Sequence, residues 1–381
     1  MADTRPIQLG VIGTGLALER LHWPVLHALR DRYTVVAFAD IAQDAAARFA
    51  AYAGLGMDGY CADYRILLER RDVEAVLILL PIPLLLPVTR EALAAGKHVL
   101  CEKPTGVDEA QGRAFLALAH QYPALTVLIG EHVFYRDDVR LARSLLDAGA
   151  IGQPHLMTYR IVQTYVPRAG EFSGTPWRRH AAYRGGPHLD GGVHHIAQIR
   201  VLCGDALSVH GVTRRANSTI DAPSDLVVNL VFDQDLVGSY LAAYPEIATP
   251  PEPHEMRLYG TEGTLSLDRD DAGRRLRLYR ADGSCETYTL ADPFNGFYGE
   301  WLNFSDAIRH GEPVIATIEQ SFKNMQVVLR ALDSAEQDVA LPVHDTPSGA
   351  TAAVPLWRPR GATGLFDGLP GGEIVVHRVE A

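Results

Sequence analysis

At 381 residues the chain is longer than a single hydrophobic core usually grows, so its length predicts two domains. A composition of 47% hydrophobic and 21% charged residues is that of an ordinary globular protein, and it excludes wholesale disorder, collagen and coiled coil. The 35 basic and 46 acidic residues leave a net charge of -11, the wrong sign for a binder of nucleic acid or anionic membrane.

The first part of the chain alternates. Ile7 to Ile12 reads as a short apolar strand, and a Gly-rich turn leads into a helical stretch from Leu16 to Leu29 that Pro24 kinks or restarts. Thr34 to Ala39 is a strand, and Ala42 to Tyr52 and Tyr64 to Arg70 are helices. Ala75 to Leu80 is a continuous apolar run, as a strand covered on both faces should be. Leu84 to Ala95 is a helix stopped by Gly96, His98 to Cys101 a strand, Asp108 to His120 a helix with an acidic start, and Thr126 to Gly130 a strand. Strands alternating with helices across short links predict a doubly wound parallel sheet, assigned to residues 1–131.

Past residue 131 the pattern changes. Val139 to Ala148 is a helix, His155 to Tyr165 a strand, and an irregular Gly, Pro and Arg-rich stretch runs to Gly186 before a helix from about His188 to Leu202. Strand-like runs follow at Val209 to Arg215, Asp225 to Phe232, Leu236 to Tyr244, Glu255 to Tyr259 and Thr264 to Leu267, with a proline-rich loop from Pro245 to Pro253. Leu276 to Arg280 and Glu286 to Leu290 bracket Asp282-Gly283, a hairpin signal. Tyr298 to Arg309 and Ile318 to Ser334 are closing helices. This predicts an α+β domain over 132–343, with a large, mostly antiparallel sheet and helices on one face. Residues 344–381 form a Gly/Pro-rich tail with no assignable element.

Cys61, Cys101, Cys203 and Cys285 lie far apart without a CxxC pair, so they read as buried reduced thiols, not as a disulfide frame or zinc ribbon. Met1 to Gly10 has no apolar core of an export signal, and the longest apolar run, Ala75 to Val88, is interrupted by prolines and too short to span a bilayer. The expected location is cytoplasmic.

Gly13-Thr14-Gly15-Leu16-Ala17-Leu18 sits between the first strand and first helix. Gly13 permits the tight turn, and Gly15 lets backbone N–H groups approach a pyrophosphate at the positive helix end. Leu18 occupies the third position, where Gly or Ala is usual. Asp40, ending the second strand, is placed to accept hydrogen bonds from the ribose hydroxyls and to repel a 2′-phosphate; Ile41 offers such a phosphate nothing. NAD is therefore expected over NADP.

Ala95-Gly96-Lys97-His98-Val99-Leu100-Cys101-Glu102-Lys103-Pro104 closely resembles the AGKHVLCEKP segment of the Gfo/Idh/MocA oxidoreductases. Further similar segments follow in order: Leu146 to Pro154, Pro176-Trp177-Arg178, Gly185 to His194, Tyr259 to Leu265 and Ala331 to Pro342. The resemblance runs from about residue 7 to 343. It implies a catalytic Lys103, Asp190 and His194, and adds Pro81, Glu102 and Lys103 to the cofactor contacts Gly13, Thr14, Gly15, Leu16 and Asp40. It also implies a homodimer or homotetramer built through the second sheet, whose open apolar face suits such a contact.

The chemistry of these residues agrees with that assignment. Oxidising a carbinol needs a base for the hydroxyl proton as hydride leaves. Lys103 closes a parallel strand where ligands of such sheets bind, and its cation can stabilise an alkoxide. Asp190 and His194 are four apart, so on one helix they share a face, and the carboxylate can orient the imidazole. His188, His194 and His195 near Asp190 lack a recognised zinc spacing, and no metal is expected.

Departures from the family pattern fall where the substrate would bind: Leu80-Pro81-Ile82 with Leu85, Glu131-His132-Val133-Phe134, Pro187 and Ala197. His132, Gln163, Tyr165, Trp177 and Arg178, with Asp190 and His194, are the substrate candidates; aromatic faces suit the C–H faces of sugars. The expected activity is NAD-dependent hydride transfer at a secondary hydroxyl or keto group of a sugar, polyol or glycoside. Two alternatives stand beside it: a redox-neutral glycosidase or lyase that works by transient oxidation, and a non-catalytic NAD-binding sensor, against which the intact Glu102-Lys103-Pro104 argues.

Overall fold

The computed structural model describes residues 5–247, 254–270, 273–344, 354–371 and 374–379. The chain divides into two compact units. The first comprises the residues up to His132 together with Gly296–Phe322, and the second Val133–Asn295 together with Lys323 onward.

The first unit holds a parallel sheet of β1 (Ile7–Ile12), β2 (Tyr33–Ala39), β3 (Tyr60–Cys61), β4 (Ala75–Ile78), β5 (His98–Glu102) and β6 (Val127–Gly130), in the order β3-β2-β1-β4-β5-β6. This is the doubly wound sheet expected, with β3 added at one edge; at two residues it is too short to leave a periodic signal. β4 is buried along its whole length, the reason its sequence is an unbroken apolar run. Around it pack Ile12, Leu85, Val99, Cys101, Phe115 and Ile129. Burial pushes the Cys101 thiol up to about 12, so this cysteine is an inert core residue. All four cysteines are free, and Cys203 and Cys285 are half-buried where full burial was expected.

Pro24 acts as its chemistry requires. The first helix passes through a π-turn at Leu18–His22 and resumes as Trp23–Ala28, with Pro24 in the first turn of that segment, where a missing N–H costs least.

The second unit is built on a ten-stranded sheet: β7 (Pro154–Val162), β8 (Ser208–Arg214), β9 (Asp225–Val231), β10 (Val237–Ala243), β11 (His254–Gly260), β12 (Gly263–Asp270), β13 (Gly273–Arg280), β14 (Cys285–Leu290), β15 (Leu341–Pro342) and β16 (Ile374–Val379). Their order is β15-β8-β9-β10-β7-β11-β12-β13-β14-β16, antiparallel throughout except for β10 beside β7. Along β9, Leu226, Val228 and Leu230 are buried while Val227, Asn229 and Val231 are exposed, so one face is covered and one is open. On the covered side Gly211 lies so close to Ala331 that a Cβ would approach its carbonyl oxygen to 2.1 Å. The Asp282-Gly283 hairpin forms, with Gly283 at φ 86° and both the N–H and hydroxyl of Ser284 donating to Asp282 Oδ1.

Three boundaries differ from the sequence expectation. The helix Phe297–His310, placed by its position in the chain with the second domain, belongs to the first unit. There Trp301 is fully buried and its carbonyl accepts from the Tyr33 hydroxyl at 2.6 Å, a contact across 268 residues that local pattern cannot reveal. The helix expected from His188 is two segments, Pro187–Asp190 and Gly192–Cys203, joined by Gly191 in helical conformation. The tail, left unassigned above, supplies β16, which pairs with β14 at the sheet edge. Most of the proline-rich loop lies outside the described residues.

Candidate functional site

Parallel strands end on one edge of a sheet, and that edge collects the candidate cofactor residues of the first unit. Gly13 to Leu16 follow β1, Asp40 follows β2, Pro81 caps the helix after β4, Glu102 closes β5 with Lys103 next, and Glu131-His132 follow β6. The strand order reverses between β1 and β4, the switch point where such sheets open a ligand crevice.

The turn after β1 is held from several sides. Gly13 has φ 96° and donates its N–H to the Ala39 carbonyl at 2.8 Å, and a Cβ there would sit 2.3 Å from the Leu79 carbonyl oxygen. Only glycine fits. Gly15 is the opposite case: a Cβ would meet no heavy atom within 4 Å, so the protein does not itself demand glycine there. A pyrophosphate approaching the helix end would. Thr14 is buried, and its N–H and hydroxyl both donate to Asp40 Oδ2, at 2.8 and 3.0 Å. Asp40 Oδ1 accepts from the Ala42 N–H at 2.9 Å. The carboxylate is thus fixed beside the turn, and the neighbouring Ile41 is 98% exposed and apolar. These residues fit a dinucleotide with unphosphorylated ribose.

Glu102 is equally constrained. Trp301 Nε1–H donates to His22 Nδ1 at 3.2 Å, which leaves the imidazole hydrogen on Nε2, and Nε2 donates to Glu102 Oε1 at 3.0 Å. Glu102 Oε2 accepts from the N–H of Lys103 at 3.2 Å. Lys103 is half-buried, and its peptide bond to Pro104 is cis. His132 stacks on Phe297, with centroids 4.5 Å apart and rings 6° from parallel.

In the second unit, Asp190 and Arg178 form an ion pair, Nε to Oδ2 at 2.7 Å, with both side chains largely buried. The guanidinium lies 4.1 Å from the Trp177 ring centroid and 5.2 Å from that of Phe172, and Nη1 donates to Thr175 Oγ1 at 3.1 Å. Tyr165, Tyr183 and Tyr244 surround this pair: burial raises each phenol above its ordinary value, and the Asp190 charge adds to the effect. Tyr183 Oη is buried without a hydrogen-bond partner among the described residues. His194 starts the second helical segment one turn beyond Asp190, its N–H bonded to the Gly191 carbonyl at 3.2 Å. Next to it, His195 Nδ1 is 2.7 Å from Tyr240 Oη, which pins the helix to β10. Burial holds the His195 imidazole well below its ordinary value, so it is neutral.

Of the substrate candidates, Tyr165, Trp177, Arg178 and Asp190 thus come together, while Gln163 is exposed just past β7 with its N–H on the Ala243 carbonyl. Sequence reasoning missed Tyr183, Tyr244, His22 and Trp301. Tyr183 lay inside a stretch without periodicity, and no local motif singled out the others.

Two family models match the chain: one described as an oxidoreductase family with an NAD-binding Rossmann fold over residues 7–129, and one as the GFO/IDH/MocA C-terminal domain over 139–266. A dTDP-3,4-didehydro-2,6-dideoxy-alpha-D-glucose 3-reductase from Streptomyces violaceoruber is 33% identical over 300 residues, covering 74% of this chain and 80% of that protein. Among solved structures, an oxidoreductase from Thermotoga maritima has a TM-score of 0.78 at 26% identity, covering 89% of this chain and 99% of its own. A 3-ketoreductase from Actinomadura kijaniata, in complex with NADP and TDP-benzene, has a TM-score of 0.73 at 26% identity, covering 86% and 98%.

Proposed function

We propose that this chain, which belongs to the Gfo/Idh/MocA oxidoreductase family, transfers a hydride between a secondary hydroxyl or keto group of a sugar, polyol or glycoside and NAD. The observation that carries this reading is the shared edge of the parallel sheet: the Gly13–Gly15 turn with its fixed Asp40 follows β1 and β2, and Lys103 follows β5 on the other side of β4. NAD, when bound, supplies the hydride acceptor. The protein's part is acid–base and electrostatic: His194 takes the hydroxyl proton, Asp190 orients it, and Lys103 stabilises the alkoxide. Tyr165, Tyr183, Trp177 and Arg178 give the substrate an aromatic wall with polar heads, suited to a ring bearing several hydroxyls.

The test is a panel of sugars, polyols and their keto forms, followed by NADH absorbance in both directions. A purified protein that binds NAD yet turns over no panel member in either direction defeats the reading. Net NADH formation separates it from redox-neutral elimination.

NAD(H) binds at least about ten times tighter than NADP(H), about 1.4 kcal/mol. Asp40 is the reason, since its carboxylate meets the ribose hydroxyls and repels a 2′-phosphate. Titration of tryptophan fluorescence with both cofactors measures the ratio, and Asp40→Ala narrows it. Equal affinities in the unaltered protein sink the assignment.

The assembly that accompanies this reading is a homodimer or homotetramer through the open face of the second sheet, where Val212, Val227, Val231 and Val237 are exposed. A monomer in sedimentation velocity at micromolar concentration would refute it. No helix among the described residues is long and apolar enough to cross a membrane.

A further inference from the structure

The helix Phe297–His310 brings Phe297 against His132 and Trp301 against His22. Glu300 lies between those two contacts in sequence, is fully buried, and has no hydrogen-bond partner for either carboxyl oxygen among the described residues. The charged groups that act on it are the carboxylates of Glu102 at the end of β5 and Glu131 after β6. Glu102 is committed through Oε1 to His22 and through Oε2 to the N–H of Lys103. Glu131 is itself 1% exposed. A charge on Glu300 would be buried without a partner beside other carboxylates, so Glu300 gives up its charge.

We propose that Glu300 is a positioning residue for the Glu102–Lys103 strand end: a neutral carboxyl group beside Glu102 and Glu131 that leaves Glu102 in its bonds to His22 and to the Lys103 N–H. The role rests on the reading of Lys103 as the group that stabilises the alkoxide. Deprotonating Glu300 sets a third negative charge against Glu102 and loosens the backbone from which Lys103 projects. The other titratable and charged groups on the surrounding elements are His22 on the first helix, Arg32 and Tyr33 at the start of β2, Lys103 after β5 and His132 after β6.

Burial first, then Glu102 and Glu131, raise the Glu300 carboxyl well above its ordinary value. A folded-state value above the unfolded one gives stability that is complete below the unfolded value and is lost as pH climbs toward the folded one. Glutamine has the shape and the neutrality of the protonated acid. The full-length Glu300→Gln variant therefore gains thermal stability over the unaltered protein as pH rises, and the gap closes toward acid. Infrared difference spectra at neutral pH show a protonated-carboxyl band in the unaltered protein that is missing from Glu300→Gln. In turnover, Glu300→Gln keeps kcat within about threefold at neutral pH and lacks the alkaline fall, whereas Glu300→Ala loses about tenfold or more in kcat with a smaller change in NAD affinity.

Superimposable unfolding temperatures across pH, or a protonated-carboxyl band unchanged by Glu300→Gln, overturns the neutral acid. An alkaline fall in turnover that survives in Glu300→Gln overturns the positioning role, because a purely structural carboxyl would behave that way. The thermal and infrared measurements need no substrate. Failure of the hydride-transfer reading alone therefore shows as absent turnover in the unaltered protein, with the thermal and infrared differences still present.

Discussion

Replacing His194 or Lys103 with alanine lowers kcat by at least about a hundredfold in each case, while NAD affinity changes far less. On the proposed reading the base and the alkoxide donor act on the reacting carbinol, whereas the cofactor is held elsewhere, with the pyrophosphate on the Gly13–Gly15 turn and the ribose on Asp40. General-base catalysis is typically worth about 10²–10⁴-fold. Loss of one electrostatic donor costs about 10²–10³ in kcat. If Lys103→Ala abolished turnover while His194→Ala left it near normal, the lysine would be the base. Near-normal turnover in both variants on a good substrate would place the chemistry elsewhere.

Asp190 needs separate treatment, because the structure gives it a partner that spacing alone did not suggest. Its carboxylate holds Arg178 at 2.7 Å, and the guanidinium is flanked by Trp177 and Phe172. On the proposed reading Asp190→Asn therefore does two things: it weakens the orientation of His194, and it leaves Arg178 as a largely buried cation without its counter-charge. If orientation dominates, Asp190→Asn damages kcat less than His194→Ala, and Arg178→Ala does not restore it. If the stranded cation dominates, the double variant recovers part of the loss.

What sequence could reveal divides along physical lines. β1, β4 and the Gly13–Gly15 turn were legible because a doubly covered parallel strand must be continuously apolar, and because Gly13 occupies a conformation with φ 96°. Asp40 was singled out by its distance from the turn, and the bonds from Thr14 show its carboxylate fixed to that turn. The surroundings of Glu102 were not legible. His22 lies 80 residues before it, in a π-turn, and Trp301 reaches that histidine across 279 residues. Pairings of that separation follow from packing, and nothing local encodes them. β16 escaped for another reason: five of its six residues are exposed, so it carries no alternation to read.

The tail also bears on stability, and Arg140→Leu is expected to lower the unfolding temperature of the second unit on the order of 10 °C. The Arg140 side chain is fully buried, and its charge is shared among groups far apart in the chain. Nη1 pairs with Asp137 Oδ1 at 3.0 Å, Nε donates to the Trp357 carbonyl at 3.1 Å, and Nη2 donates to the Leu365 carbonyl. The Trp357 and Phe366 rings lie against the guanidinium at 4.9 and 5.2 Å. Leucine keeps the volume but abandons two carbonyls and a buried carboxylate, a loss of about 3–5 kcal/mol by comparison with other broken buried pairs. Residues 354–371 lose their grip on the helix Asp137–Asp147, so limited proteolysis cuts the variant there first. The effect also has a pH signature. Burial, then the Asp292 charge, raises Asp137 to about 7 against the pull of Arg140. A raised carboxyl loses stability as pH climbs from the unfolded value to the folded one, so the unaltered protein meets this loss up to about pH 7. Without Arg140 the Asp137 value rises further and the loss continues, so the stability gap between the two proteins widens above neutrality. A variant that unfolds at the parental temperature with its tail still protected would show that the Arg140 contacts contribute nothing to holding the tail.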